Sequence, residues 1–151
     1  MANTQAMCTS FKSEILSGIH ALGTTVIRAG TGADTLKAAL YLASATVNAA
    51  TTAYSVTGEV SGAGYSAGGV TATNATAPTS TGTTAFWTPS ASFTYTNVTL
   101  TTSFDCVLVY NSTQSNKAIS AHTFGAQTIT AGTFVLSMPT NDASNALIRI
   151  A

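Results

Sequence analysis

From Val60 to Phe104 the chain carries no Asp, Glu, Lys or Arg. Its polarity over that stretch comes from Thr, Ser and Asn, interleaved with Val, Tyr and Phe. A segment of this kind has little to hold it open in water, because disordered chains are rich in charge and poor in β-branched residues. Thr and Val fit a pleated, half-buried surface, so the stretch predicts strands. The whole chain follows suit: 7 % of its 151 residues are charged, against the usual ~25 %. A chain of this length is the size of one domain and buries roughly two thirds of its unfolded surface without a staple. Residues 1–8 are polar, short and without periodicity, and read as an arm ahead of a single domain over 9–151.

The formal net charge is zero. A neutral surface with so few charges is poorly protected against association, so the chain is expected to be a homo-oligomer or to be embedded among other proteins. The plainer alternative is a surface kept soluble by hydroxyls and amides. Lys12, Arg28, Lys37, Lys117 and Arg149 are scattered, which argues against a phosphate-binding patch and hence against nucleic acid as a partner. No apolar run approaches the ~18 residues of a membrane-spanning helix, so no membrane is expected. The N-terminus lacks the basic and apolar regions of a signal peptide. Cys8 and Cys106 are accordingly expected as reduced, buried thiols, with a disulfide between them as the alternative. The sequons at Asn74, Asn97 and Asn111 read as chance in a Thr-rich chain.

In chain order, Thr9 or Ser10 offers a cap, and Phe11, Ile15, Ile19 and Leu22 recur at spacings of three or four. This predicts one helix over about 10–21, weakened by Gly18 and stopped by Gly23. A short β-branched run follows at 24–28, then the turn-rich AGTGAD at 29–34. Leu36, Leu40 and Leu42 alternate with more polar neighbours and predict the first long strand over 35–43. A short strand is expected between Tyr54 and Val60. Gly58, Gly62, Gly64, Gly68 and Gly69 then form a glycine block read as a tight excursion. Further strands are expected at 69–74, 84–88, 92–100, 104–111, 118–124, 127–130, 133–138 and 146–150. Short strands at close spacing with turn signals between them predict a mainly β fold, an antiparallel β-sandwich of jelly-roll or immunoglobulin-like type with one short N-terminal helix.

The chemistry-bearing residues form no familiar constellation. The glycine block is not GxGxxG, opens no helix and lacks the Lys-Ser/Thr of a phosphate loop. His20, His122, Cys8 and Cys106 show no metal-ligand spacing. There is no GxSxG, and the five acids are isolated in sequence, so no cofactor, metal or enzymatic activity is expected. Asp105 and Asp142 are expected as turn formers, and Lys37 and Arg149 as strand-edge charges. Trp87 reads first as core or interface, and second as a platform for a sugar ring.

Four blocks carry a resemblance: MANTQAMCTSFKSEILSGIHAL, KAALYLASATVNAATTAYSVTGEVSGAGYSAGG, VLVYNSTQSNKAISAHTFGAQTITAGTF and MPTNDASNALIRIA. Together they resemble a family of small virion structural proteins of tailed bacteriophages. The resemblance implies many copies in a particle, made in the host bacterial cytoplasm, and no catalysis. Its leading expectation is a capsid decoration (cement) protein whose partner is the major capsid protein. A tail or head-to-tail component, or a carbohydrate- or receptor-binding sandwich, is the alternative. The residues expected to reach a neighbour are Met1, Ala2, Asn3 and Thr4 of the arm, the glycines of the block with Tyr65, and Trp87.

Overall fold

The computed structural model describes residues 2–16, 18–23 and 32–151. The fold is mainly β. Two antiparallel sheets and one short helix form a sandwich-like arrangement that does not close into a barrel. The strands in chain order are β1 (Ala6–Met7), β2 (Leu36–Leu42), β3 (Val70–Thr71), β4 (Thr79–Thr81), β5 (Thr84–Trp87), β6 (Phe93–Asn111), β7 (Lys117–Leu136) and β8 (Ile148–Ile150). The larger sheet has the order β1-β7-β6-β2-β3, and the smaller has the order β4-β5-β8.

One hairpin dominates. β6 and β7 are 19 and 20 residues long and are joined through the turn at 112–116. The sequence had suggested five shorter strands here, separated by connections at 101–103, 125–126 and 131–132. The chain instead passes through these points as bulges. Register shifts fall between Tyr95 and Val98, Val98 and Leu100, Leu100 and Phe104, and Phe104 and Cys106. Asn97 (φ 54°) and Ala131 (φ 47°) sit in the left-handed region at two of them. An extra residue absorbed by a bulge bends a strand without ending it.

β2 lies against the buried part of β6, from Leu36↔Asn111 to Leu42↔Phe104. Leu36, Ala38, Ala39 and Leu40 are fully buried, as are Phe104, Cys106, Leu108 and Val109. The expected strand at 54–60 shrinks to the isolated bridge Tyr41↔Glu59, and just ahead of it Ala53 bridges to Lys117. The run at 24–28 lies outside the described residues.

The helix α1 is Thr9–Leu16, shorter than expected. The chain turns away at Gly18 (φ 66°), whose N–H donates to the Ile15 carbonyl, while the Ile19 N–H donates to that of Glu14. A left-handed glycine after a helix satisfies carbonyls that would otherwise lack a donor. His20 therefore lies beyond the helix rather than on it. Phe11 is fully buried and meets the His20 ring edge-on at 4.7 Å.

The arm expected at 1–8 is corrected by the positions of residues 2–8. Asn3 donates to the Leu42 carbonyl (3.0 Å) and to Asp105 (2.6 Å), and accepts from the Val47 N–H (2.8 Å). Ala6 and Met7 pair with Ala121 and Ser120 of β7. Cys8 is fully buried, and its N–H donates to the Ile119 carbonyl. Short polar residues had no periodicity to announce this, because their order comes from partners far along the chain.

Candidate interaction site

The glycine block is organised by one carboxylate. Glu59 is 8 % exposed. It accepts hydrogen bonds from the hydroxyls of Tyr54 (2.6 Å) and Tyr65 (2.8 Å) and from the N–H of Gly68 (2.7 Å). The Tyr65 hydroxyl also accepts from the Leu40 N–H, which ties the block to β2. A buried carboxylate is tolerated when its lone pairs are filled in this way. Burial, then the bond to Glu59, raises the phenols of both Tyr54 and Tyr65. Tyr54 stacks on Tyr110, with centroids 4.7 Å apart, and Tyr110 donates to the Gly68 carbonyl.

The glycines face the chain's own backbone. A Cβ on Gly64 (φ 78°) would collide with the Asn97 carbonyl, and one on Gly69 (φ 69°) with that of Ala38. Gly62 approaches the Thr99 carbonyl in the same manner, and Ala63 bridges to Thr99. Gly58 offers its carbonyl to the Leu42 N–H, and Gly68 is buried. The expected excursion is thus a flap laid on β2 and β6. Its solvent side is exposed at residues 61–64, 66 and 67.

The remaining expected interface residues divide. Trp87 is 1 % exposed, and its indole N–H donates to the Thr76 carbonyl at 2.8 Å. It belongs to the core of this chain and is unavailable to a sugar ring. Ala2 and Thr4 are exposed, the Thr4 N–H donating to the Val47 carbonyl; Asn3 is docked as described, and Met1 lies outside the described residues.

A second polar cluster holds the helix to the hairpin turn. The Lys117 ammonium donates to Glu14 at 2.6 Å, and His20 Nε2 meets the other Glu14 oxygen at 2.7 Å. Asn111 Nδ2 reaches both His20 Nδ1 (3.1 Å) and Asp34 (2.8 Å), and Gln114 also donates to Asp34. The Asn111 donor makes Nδ1 the acceptor, so the proton sits on Nε2 and is given to Glu14. Burial would raise the Glu14 carboxyl, but the bonds from Lys117 and His20 outweigh it and lower it. Burial depresses His20 against the pull of Glu14. The result is a neutral imidazole beside a Glu14–Lys117 ion pair.

His122, expected at a strand end, lies within β7, and burial pushes it down to about 4. It shares a 2.9 Å hydrogen bond with Ser120 at the wall of a cleft of about 610 Å³, which Met7, Pro139 and Arg149 also line. A Ser–His contact of this length suits proton transfer, but among the described residues no carboxylate is hydrogen-bonded to the ring to orient it. Cys8 and Cys106 are free and buried, with thiols pushed up to about 11 and about 12 by burial. Among the described residues, no group of three or more His, Cys, Asp or Glu side chains is placed to hold a metal ion.

Asp142 forms the turn expected of it, accepting from the N–H groups of Ser144 and Asn145. Asp105 does not. It sits inside β6 and receives Asn3. Arg149 is on β8, at one edge of the smaller sheet, whereas Lys37 on β2 is flanked by β6 and β3.

The outer part of the hairpin is a further candidate surface that no sequence motif marks. Between Ala118 and Asn141 there is again no Asp, Glu, Lys or Arg. Thr94, Thr96, Thr101, Thr102 and Ser103 on β6 are exposed, as are residues 125–128, 130, 131, 133 and 135 on β7. The charge pattern at 118–141 was the available signal; the pairing of that stretch with 93–104 was not. Comparison with protein-family models, with curated proteins and with solved structures finds no match.

Proposed function

We propose that this chain is a non-enzymatic structural protein of a tailed-phage virion, a decoration protein that binds the assembled shell and stabilises it. The sequence resemblance supplies the setting. The observation that carries the mechanism is the exposed outer hairpin, whose two strands present hydroxyls, amides and backbone without one ionisable side chain. Such a surface meets a partner with no charged group to desolvate, so modest apolar and backbone contacts are retained rather than offset. Repetition over many shell sites would turn modest single contacts into a durable coat. The solvent side of the glycine flap, with Val56 at 68 % exposure nearby, adds a second uncharged contact area. At the N-terminus, Ala2 and Thr4 remain exposed, while Asn3 is held within the chain.

The test is the copy number of the chain per particle, by quantitative mass spectrometry against the major capsid protein. Hundreds of copies support decoration. A few to a few tens move the chain to the tail or connector, and absence from particles overturns the virion reading.

A further inference from the structure

The free edge of β7 is treated differently along its length. Over its first residues, β7 is covered on the side away from β6. The Ala118 N–H donates to Thr52, Ala53 bridges to Lys117, Cys8 bonds to Ile119, and Ala6 and Met7 pair with Ala121 and Ser120. The cover ends at Ala121. Among the described residues, no strand pairs with that side of β7 from His122 to Leu136.

Open edges are ordinarily guarded by charge, by Pro or by brevity. β4 is three residues long, and β8 carries Arg149. The β7 edge has neither a charge nor a Pro, and its guard is the bulge at Ala131. Beyond that bulge the strand is regular again, with Phe134, Val135 and Leu136 in unbroken register with Tyr95, Thr94 and Phe93.

We propose that residues 132–136 form a two-fold, edge-to-edge antiparallel pair with a second copy of this chain. A two-fold interface must be complementary to itself, and this segment is so on both faces. Centred on Phe134, the pairing sets Thr133 opposite the partner's Val135, and the reverse, two β-branched cross-strand pairs on the outer face. Val135 is 48 % exposed in the single chain. On the inner face Phe134 would meet its own copy. It already belongs to an aromatic row with Tyr95, Phe104 and Phe124, at centroid distances of 6.1, 5.1 and 5.4 Å. The two rows would join into one. A neutral edge has no like charge to oppose its copy, whereas a foreign strand would have to supply this pattern by chance. The inference is independent of the virion reading.

Sedimentation velocity of the purified full chain over a concentration series tests it. The wild type should show a monomer–dimer equilibrium. The double variant Thr133→Lys, Val135→Lys places like charges opposite one another twice and should weaken the dimer at least about tenfold. Thr94→Lys with Thr96→Lys, on the same face but off the edge, should leave it unchanged. Mixing the double-lysine variant with Thr133→Glu, Val135→Glu should restore association between the two. A monomer at every concentration, or a dimer indifferent to the edge lysines, would overturn the proposal.

Discussion

The inner and outer halves of the long hairpin are built from the same two strands and differ in nearly everything else. From Phe104 to Asn111, β6 is buried on both faces except at Asp105, with β2 on one side and β7 on the other. Its sequence, CVLVY, is a nearly continuous apolar run, as expected of a strand packed on both faces. From Phe93 to Ser103 the same strand alternates. Phe93, Tyr95, Val98 and Leu100 are buried, while Thr94, Thr96 and Thr101 are exposed. The inner half is covered by the N-terminal segment, the helix and the loop at 52–54. Beside the outer half lies the glycine flap, and Tyr95 reaches back to the Ala38 carbonyl of β2. Strand length is therefore a poor guide to where the stability lies; coverage decides it.

Substitutions along the hairpin test that contrast. Leu108→Ala, in the inner half, should cost about 3–5 kcal/mol, because a fully buried leucine leaves a cavity in a site clamped from both sides. Removing residues 2–8 should cost about 3 kcal/mol by uncovering the inner half, through loss of the buried Cys8, the β1 pairing and the Asn3–Asp105 bond. Urea unfolding reads both, and an unchanged midpoint in the truncated chain would show that the segment is merely laid on the surface.

Protonation offers a gentler probe of the same half. His122 titrates near 4 in the folded chain and near 6.5 when unfolded. Between these values the unfolded state binds more protons, so stability is full above about 6.5 and falls as the pH drops towards 4. The loss should be on the order of 2 kcal/mol, given the partial exposure of the ring, and His122→Gln should flatten that part of the profile. An identical pH dependence in the variant would assign the loss to another group, such as His20, which burial also depresses.

At the flap, Glu59→Gln keeps the shape but replaces a charged acceptor of three hydrogen bonds, and should cost about 1–2 kcal/mol. Amide exchange should then rise over 60–69 before it rises in β6. Thr101→Ala in the outer half should move stability by less than about 0.5 kcal/mol. A larger effect would mean that the exposed face carries structure of its own.

Much of the fold was legible because it is local. The alternation of Leu36, Leu40 and Leu42, the pairing of Phe93 with Tyr95 on one face, and the apolar run through Leu108 all announce strands. The bulge at Ala131–Gly132 reads as a turn in the sequence because it uses the small residues that turns use, whereas the one at Asn97 falls inside an expected strand and leaves no sign there. Only the cross-strand register separates the two cases, and a register is a property of two segments. Glu59 was illegible for a related reason: its partners Tyr54, Tyr65 and Gly68 meet only after the loop has closed. β1 and β4 are two and three residues long, too short to show a period.

The docking of the first residues has a bearing on synthesis. Asn3, Ala6, Met7, Cys8 and Glu14 find their partners at Asp105, Ala121, Ser120, Ile119 and Lys117. Residues 3–14 therefore leave the ribosome before the partners at 105–121 are made, and wait for them. Closing so long a loop comes late, after local contacts have formed. A nascent chain stopped short of residue 117 would hold its helix sequence ready with nothing yet to receive it.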